Sequence, residues 1–131
     1  MTKIIASINC GNSPKKEFLK DFTIALAKGD LGFVVEAVAE DIQWEIVGRR
    51  ICTNKEQLLR IIQQQQFWRV RELRVETVVT HGTDASVSGR VITTEGKPFA
   101  FCHVVKFKGF KGAVIKNLQT FIIEVKDDLS R

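Results

Sequence analysis

From Phe67 onward, apolar residues recur at every second position in four long runs, at about 67–80, 84–94, 98–108 and 113–125. The separators are His81-Gly82-Thr83, Glu95-Gly96-Lys97 and Lys108-Gly109-Phe110-Lys111-Gly112. All three are too short for a crossover. Each therefore joins antiparallel neighbours as a hairpin. Strands of about ten residues or more do not stay flat; they twist and curl. Nearly half the chain is thus committed to one curled sheet, and one face of that sheet has to be covered.

The cover comes from the first half. Ser13-Pro14 opens a helix, with serine as the cap and proline at the first helical position, where a missing N–H costs nothing. Phe18, Phe22, Ala25 and Leu26 form its apolar stripe, and Gly29 ends it. Asp30 caps a second helix expected to reach about Ala39, with Leu31, Val34, Val35 and Val38 inward. Residues 41–47 read as a strand, with Ile42, Trp44 and Ile46 on one face and Gln43, Glu45 and Val47 on the other. Thr53-Asn54-Lys55-Glu56 reads as a capping box opening a third helix with Leu58, Leu59, Ile61 and Ile62. Helices segregated before an antiparallel sheet predict an α+β fold, a cone whose three helices enclose a pocket. No linker or repeat divides the 131 residues, so one domain is expected over 1–131, with its core at about 13–125.

Charge and cysteine narrow the partners. Lys and Arg exceed Asp and Glu by 20 to 15, but the excess is scattered and forms no basic block, so nucleic acid is not the expected partner. Cys10, Cys52 and Cys102 form no Cys-x-x-Cys pair, and His81 and His103 lie far apart, so no metal site is expected. Cys102, among Phe99, Ala100, Phe101 and Val104, reads as a buried structural thiol. No apolar run reaches the ~20 residues of a membrane span, and the Ile4–Ile8 stretch is too short for a signal peptide. A reducing, cytoplasmic location is expected.

Three stretches carry a resemblance: residues 25–31 (ALAKGDL), residues 40–48 (EDIQWEIVG) and residues 101–107 (FCHVVKF) before a Gly-containing hairpin. With these the chain resembles the nuclear transport factor 2-like superfamily, in its SnoaL-like and ketosteroid-isomerase-like branch. The likeness covers about residues 13–125. It implies the cone fold and a small-molecule-binding protein with no cofactor, of undefined substrate. By the isomerases' pattern, the general-base position falls on Glu45 and the second acid on His103. The oxyanion tyrosine position falls on Phe22. The chain has nine Phe, two Trp and no Tyr, so the phenolic donor is missing and steroid isomerisation is not expected.

A carboxylate and an imidazole in one apolar pocket are suited to acid–base chemistry. As an enzyme, the chain would therefore be a cofactor-free lyase or isomerase, a dehydratase or a cyclase, with Glu45 and His103 as catalytic residues. Two plainer readings stand beside this one: Glu45 paired with Arg49, Arg50 or Lys116, and His103 as a hydrogen-bonded core residue. Phe22, Leu26, Trp44, Phe67, Asn117, Gln119 and Phe121 are the candidate ligand contacts, suited to a small apolar molecule with a polar head. Phe67-Trp68-Arg69-Val70-Arg71 interleaves aromatics and arginines and suits a partner-facing strand, and Phe110 tips a hairpin. A homodimer through the outer sheet face is expected by the resemblance. The alternative function is a non-catalytic module that binds another macromolecule through its sheet face or pocket mouth.

Overall fold

The computed structural model describes residues 2–6, 8, 10, 11, 13–64, 70–109 and 112–126. Helix α1 spans Pro14–Lys28. The Ser13 hydroxyl accepts the Lys16 N–H at its start. Gly29 closes it in the left-handed conformation (φ 71°), which a side chain would strain, and the following Asp30 N–H returns to the Ala25 carbonyl. Asp30 then caps α2 (Leu31–Ala37) by accepting the Phe33 N–H. Helix α2 ends two residues before the expected Ala39. Val38 and Ala39 are instead extended and buried, and Val38 pairs with Ile115. The β-branched Val38 gains more as the start of a strand than as a last helical turn, and Ala39 follows it into the strand.

The third helix, α3 (Lys55–Gln64), is capped one residue later than its sequence suggests. Asn54 Oδ1 accepts the Gln57 N–H, and Gln57 Oε1 accepts the Thr53 N–H, both at 2.8 Å. The reciprocal pair is Asn54 and Gln57 with Thr53, not Thr53 and Glu56.

The strands are β1 (Lys3–Ile5), β2 (Val38–Ile46), β3 (Arg50–Cys52), β4 (Val70–His81), β5 (Asp84–Thr93), β6 (Pro98–Phe107) and β7 (Ile115–Glu124). They form one seven-stranded sheet in the order β1-β4-β5-β6-β7-β2-β3. The four long strands are antiparallel neighbours as expected. The sheet as a whole is mixed rather than antiparallel, because β2 runs parallel to β7 and β1 parallel to β4. Helix α3 and strand β3 follow β2, and those elements carry the chain back to the other end of the sheet. The fold is α+β.

Sheet curvature has a visible cause. The β4–β5 register shifts between Val75 and Thr77, so Glu76 is an extra residue on β4. Opposite this bulge sits Gly89, where a Cβ would collide with the Arg74 carbonyl. Only a glycine lets the two backbones close there.

The inward face of the sheet carries Ile42, Trp44, Ile46, Leu73, Val87, Phe101, Val105 and Leu118. One cluster packs the β2, β6 and β7 side against Leu19, Phe22 and Leu26 of α1, Val34 of α2, and Leu58 and Ile61 of α3. A second joins Leu73, Val75, Val87, Val91 and Phe101 to Ala27 of α1.

Candidate functional site

Strand parity sorts the candidate residues onto two faces. On the inner face, Phe22, Leu26, Trp44 and His103 are buried. On the outer face, Gln43 and Glu45 of β2 lie beside Asn117 and Gln119 of β7, following the registers Gln43↔Asn117 and Glu45↔Gln119, with Val47 just past the end of β2 and Phe121 further along β7. Phe67, Trp68, Arg69 and Phe110 lie outside the described residues.

The inner site is built around a hydroxyl that the sequence reading did not single out. Thr120 Oγ1 accepts the Trp44 indole N–H at 2.9 Å and lies 2.7 Å from His103 Nδ1. All three side chains are buried, on three strands: β2, β7 and β6. Phe101 lies against the imidazole, with ring centroids 5.3 Å apart. Desolvation disfavours the charged ring and pushes the His103 pKa down to about 4. The imidazole is therefore neutral at neutral pH. If its Nδ1 accepts the Thr120 hydroxyl, its proton sits on Nε2. The signal for Thr120 was in the alternation of β7: Leu118 and Thr120 point inward, whereas Asn117, Gln119 and Phe121 point outward.

Glu45 does not join His103. It sits on the opposite face of the sheet, where its carboxylate accepts from Gln119 Nε2 at 3.4 Å. The position opposite α1 on β2 belongs to Trp44, because Ile42, Trp44 and Ile46 share the buried parity. A proton cannot pass directly between Glu45 and His103 with the sheet between them, so the proposed acid–base pair is overturned. The partner beside Glu45 on this face is the Gln119 amide. His103 takes the plainer role, that of a hydrogen-bonded core residue. Cys102 also differs from expectation. It lies on the outer face between Ser88 and Phe121 and is half-buried, which still raises its thiol pKa.

The outer face forms cross-strand rows. One row runs Gln43, Asn117, Lys106, Asp84; the next runs Ile51, Glu45, Gln119, Val104, Ser86, Val79. Beyond them come Phe121, Cys102 and Ser88, then Ile123, Ala100 and Arg90. The first row, and the second from Ile51 to Val104, line a groove of about 700 Å³. The large apolar residues that are exposed among those described are Val47, Ile51, Val79, Val104, Phe121 and Ile123, and all lie on this face or its rim. Ile51 and Ile123 are each 68% exposed. Such a concentration is unusual for a surface left to solvent.

Among the described residues, no three His, Cys, Asp or Glu side chains are grouped to hold a metal ion, and no helix is long and apolar enough to cross a membrane.

No protein-family model matches the chain, and neither does any curated protein sequence. Solved structures do. An NTF-2 like protein of unknown function from Burkholderia xenovorans is similar at a TM-score of 0.70 and 10% identity, over 88% of this chain and 90% of that one. A Kribbella flavida protein provisionally described as a ketosteroid isomerase is similar at a TM-score of 0.70 and 15% identity, over 86% of this chain and 80% of that one. A LEH-like epoxide hydrolase of M. tuberculosis is similar at a TM-score of 0.67 and 16% identity, over 82% and 81%. At such identities the likeness is one of fold, and a shared fold does not select an activity.

Proposed function

We infer, from the nuclear transport factor 2-like fold that this chain has, a small-molecule-binding protein that works as two copies joined through the outer faces of their sheets. One observation supports this above the others: the exposed apolar side chains and the 700 Å³ groove share a face. A second copy is the occupant this surface suits. Its apolar centre, around Val104, Phe121 and Ile123, is flanked by both signs of charge. Lys106 pairs with Asp84 at 3.4 Å near one end, and Arg74 with Glu72 at 3.3 Å near the other. A two-fold-related copy therefore meets no single-sign block, as an isologous contact requires.

Pairing converts an open groove into a covered one. Gln43, Asn117, Gln119 and Glu45 then offer amides and a carboxylate to the polar head of a ligand, while Val104 and Ile51 touch its apolar part. Three of the candidate residues, Glu45, Asn117 and Gln119, thus keep a binding role, with Phe121 at the contact beside them. Binding, rather than Glu45–His103 catalysis, is the activity of this reading. Native mass spectrometry of freshly purified protein tests it: a dimer carrying a small molecule is expected, and Asn117→Leu with Gln119→Leu should release that molecule. A ligand retained by this double variant would contradict the groove as its site.

A further inference from the structure

The groove on the outer face is richer in acceptors than its amides suggest. Gln43 Nε2 donates to the Asp41 and Thr53 backbone carbonyls, each at 3.2 Å. Both of its N–H groups are engaged in this way, so the side chain brings a carbonyl oxygen to the groove. Gln119 Nε2 donates to Glu45 Oε1 at 3.4 Å, which directs a second amide N–H into the fold. The Glu45 carboxylate has about four acceptor sites on its two oxygens. One long bond from a neutral amide uses little of that capacity. Asp84 adds a second carboxylate to the lining and shares it with Lys106 at 3.4 Å, both side chains being more than half exposed. Lys106 does not cancel the charge of Glu45. Strands lie about 4.8 Å apart and rise about 3.3 Å per residue, so two strands and one row put about 12 Å between these backbones. That exceeds the screening length of about 8–10 Å in ordinary salt. The Glu45 end of the groove also carries apolar surface. Ile51 lies directly across β2–β3 from Glu45, and Val104 lies beyond Gln119 in the same row; both are exposed.

We propose that the ligand of this groove is a small primary amine with a hydrocarbon body, its ammonium held by the Glu45 carboxylate with the Gln119 and Gln43 carbonyl oxygens, and its body resting on Ile51 and Val104. An ammonium has three donors and accepts nothing, which matches three acceptors on neighbouring positions of one sheet face. Its bond to a carboxylate is charge-assisted, and such bonds are roughly twice as strong as neutral ones. A neutral alcohol would gain less from Glu45, and an organic acid would meet it as a like charge. The proposal rests on the groove being a ligand site and names the class of molecule that site takes.

The test is a titration of ¹⁵N-labelled protein with benzylamine, benzyl alcohol and benzoate at neutral pH, followed by amide chemical shifts. Benzylamine, charged under these conditions, is expected to shift the amides of Glu45, Gln119 and Val104 saturably, with a Kd of about 1 mM or tighter. Benzyl alcohol, of similar shape without the charge, should bind about tenfold more weakly, and benzoate more weakly still. Glu45→Gln keeps the size of the side chain and removes its charge. It should weaken benzylamine about tenfold and leave benzyl alcohol unchanged. Asp84→Asn, at the Lys106 end, should change benzylamine binding less than twofold. Amide dispersion elsewhere reports whether each variant is folded. If none of the three probes shifts the groove amides saturably, the groove is not a ligand site and the amine proposal falls with it. If benzyl alcohol or benzoate binds there as tightly as benzylamine, the groove stands as a site and the amine assignment alone is overturned. Full benzylamine affinity in Glu45→Gln would likewise overturn the assignment.

Discussion

Lowering the pH should destabilise this fold through one residue, His103. The imidazole is fully buried and its folded-state pKa is pushed down to about 4 from an ordinary value of 6.5. As pH falls below about 6.5, the unfolded chain takes up the proton and the folded chain does not, so stability drains away. The loss levels off below about pH 4, where both states are protonated. A separation of roughly two and a half pH units, at about 1.4 kcal/mol each, makes the full loss about 3–4 kcal/mol, of which about 3 kcal/mol falls between pH 7 and pH 4. Against a typical stability of about 5–15 kcal/mol this is large. Urea unfolding of the parent and of His103→Gln, at about pH 7 and about pH 4, isolates the term. Glutamine occupies similar space, is polar, and does not titrate. The parent should lose about 3 kcal/mol more than the variant between the two conditions. Equal losses would show that His103 is reached by solvent or carries a charge in the folded state, and would refute the buried neutral assignment.

Four other perturbations follow from the same geometry. Thr120→Val removes the hydroxyl between Trp44 and His103 and should cost about 2–4 kcal/mol by urea denaturation, because two buried partners lose it. Thr23→Val should be nearly neutral by comparison, since the equally buried Thr23 hydroxyl only returns to the Leu19 carbonyl of its own helix. Gly89→Ala should destabilise by at least about 1–3 kcal/mol in thermal unfolding, because the new methyl meets the Arg74 backbone carbonyl at the bulge. Phe121→Asp with Ile123→Asp should leave the monomer's circular dichroism unchanged yet weaken self-association by about a hundredfold or more in sedimentation, two exposed apolar side chains being worth about 1.5–3 kcal/mol each when covered.

The architecture was legible because its signals are local. Ser13-Pro14 and Gly29 bound α1 as read, and the glycine-containing separators bound the long strands. What stayed hidden depended on partners distant in sequence. The parallel pairing of β2 with β7 brings Val38 to Ile115, and no local pattern announces it. The three-residue strands β1 and β3 are too short to show a period. The site divided along the same line. Alternation along β2 had already placed Trp44 and Glu45 on opposite faces, and the structure keeps that parity. The resemblance to the isomerases nonetheless placed Glu45 with His103, because matching a motif position carries a residue's role without its strand parity. Thr120 is hidden for a related reason: on β7 the amides Asn117 and Gln119 are the conspicuous polar side chains, whereas the hydroxyl on the buried parity is the one that meets the core.

The central claim is that the outer sheet face is a contact between two copies, with the groove enclosed by it. Sedimentation equilibrium at about ten micromolar measures this directly, since a dimer of useful affinity has a Kd near or below a micromolar, about −8 kcal/mol. The account predicts twice the chain mass of 14.8 kDa, reverting to the single mass in the Phe121→Asp, Ile123→Asp variant. A single chain mass for the parent, or a dimer that survives the double substitution, would contradict it.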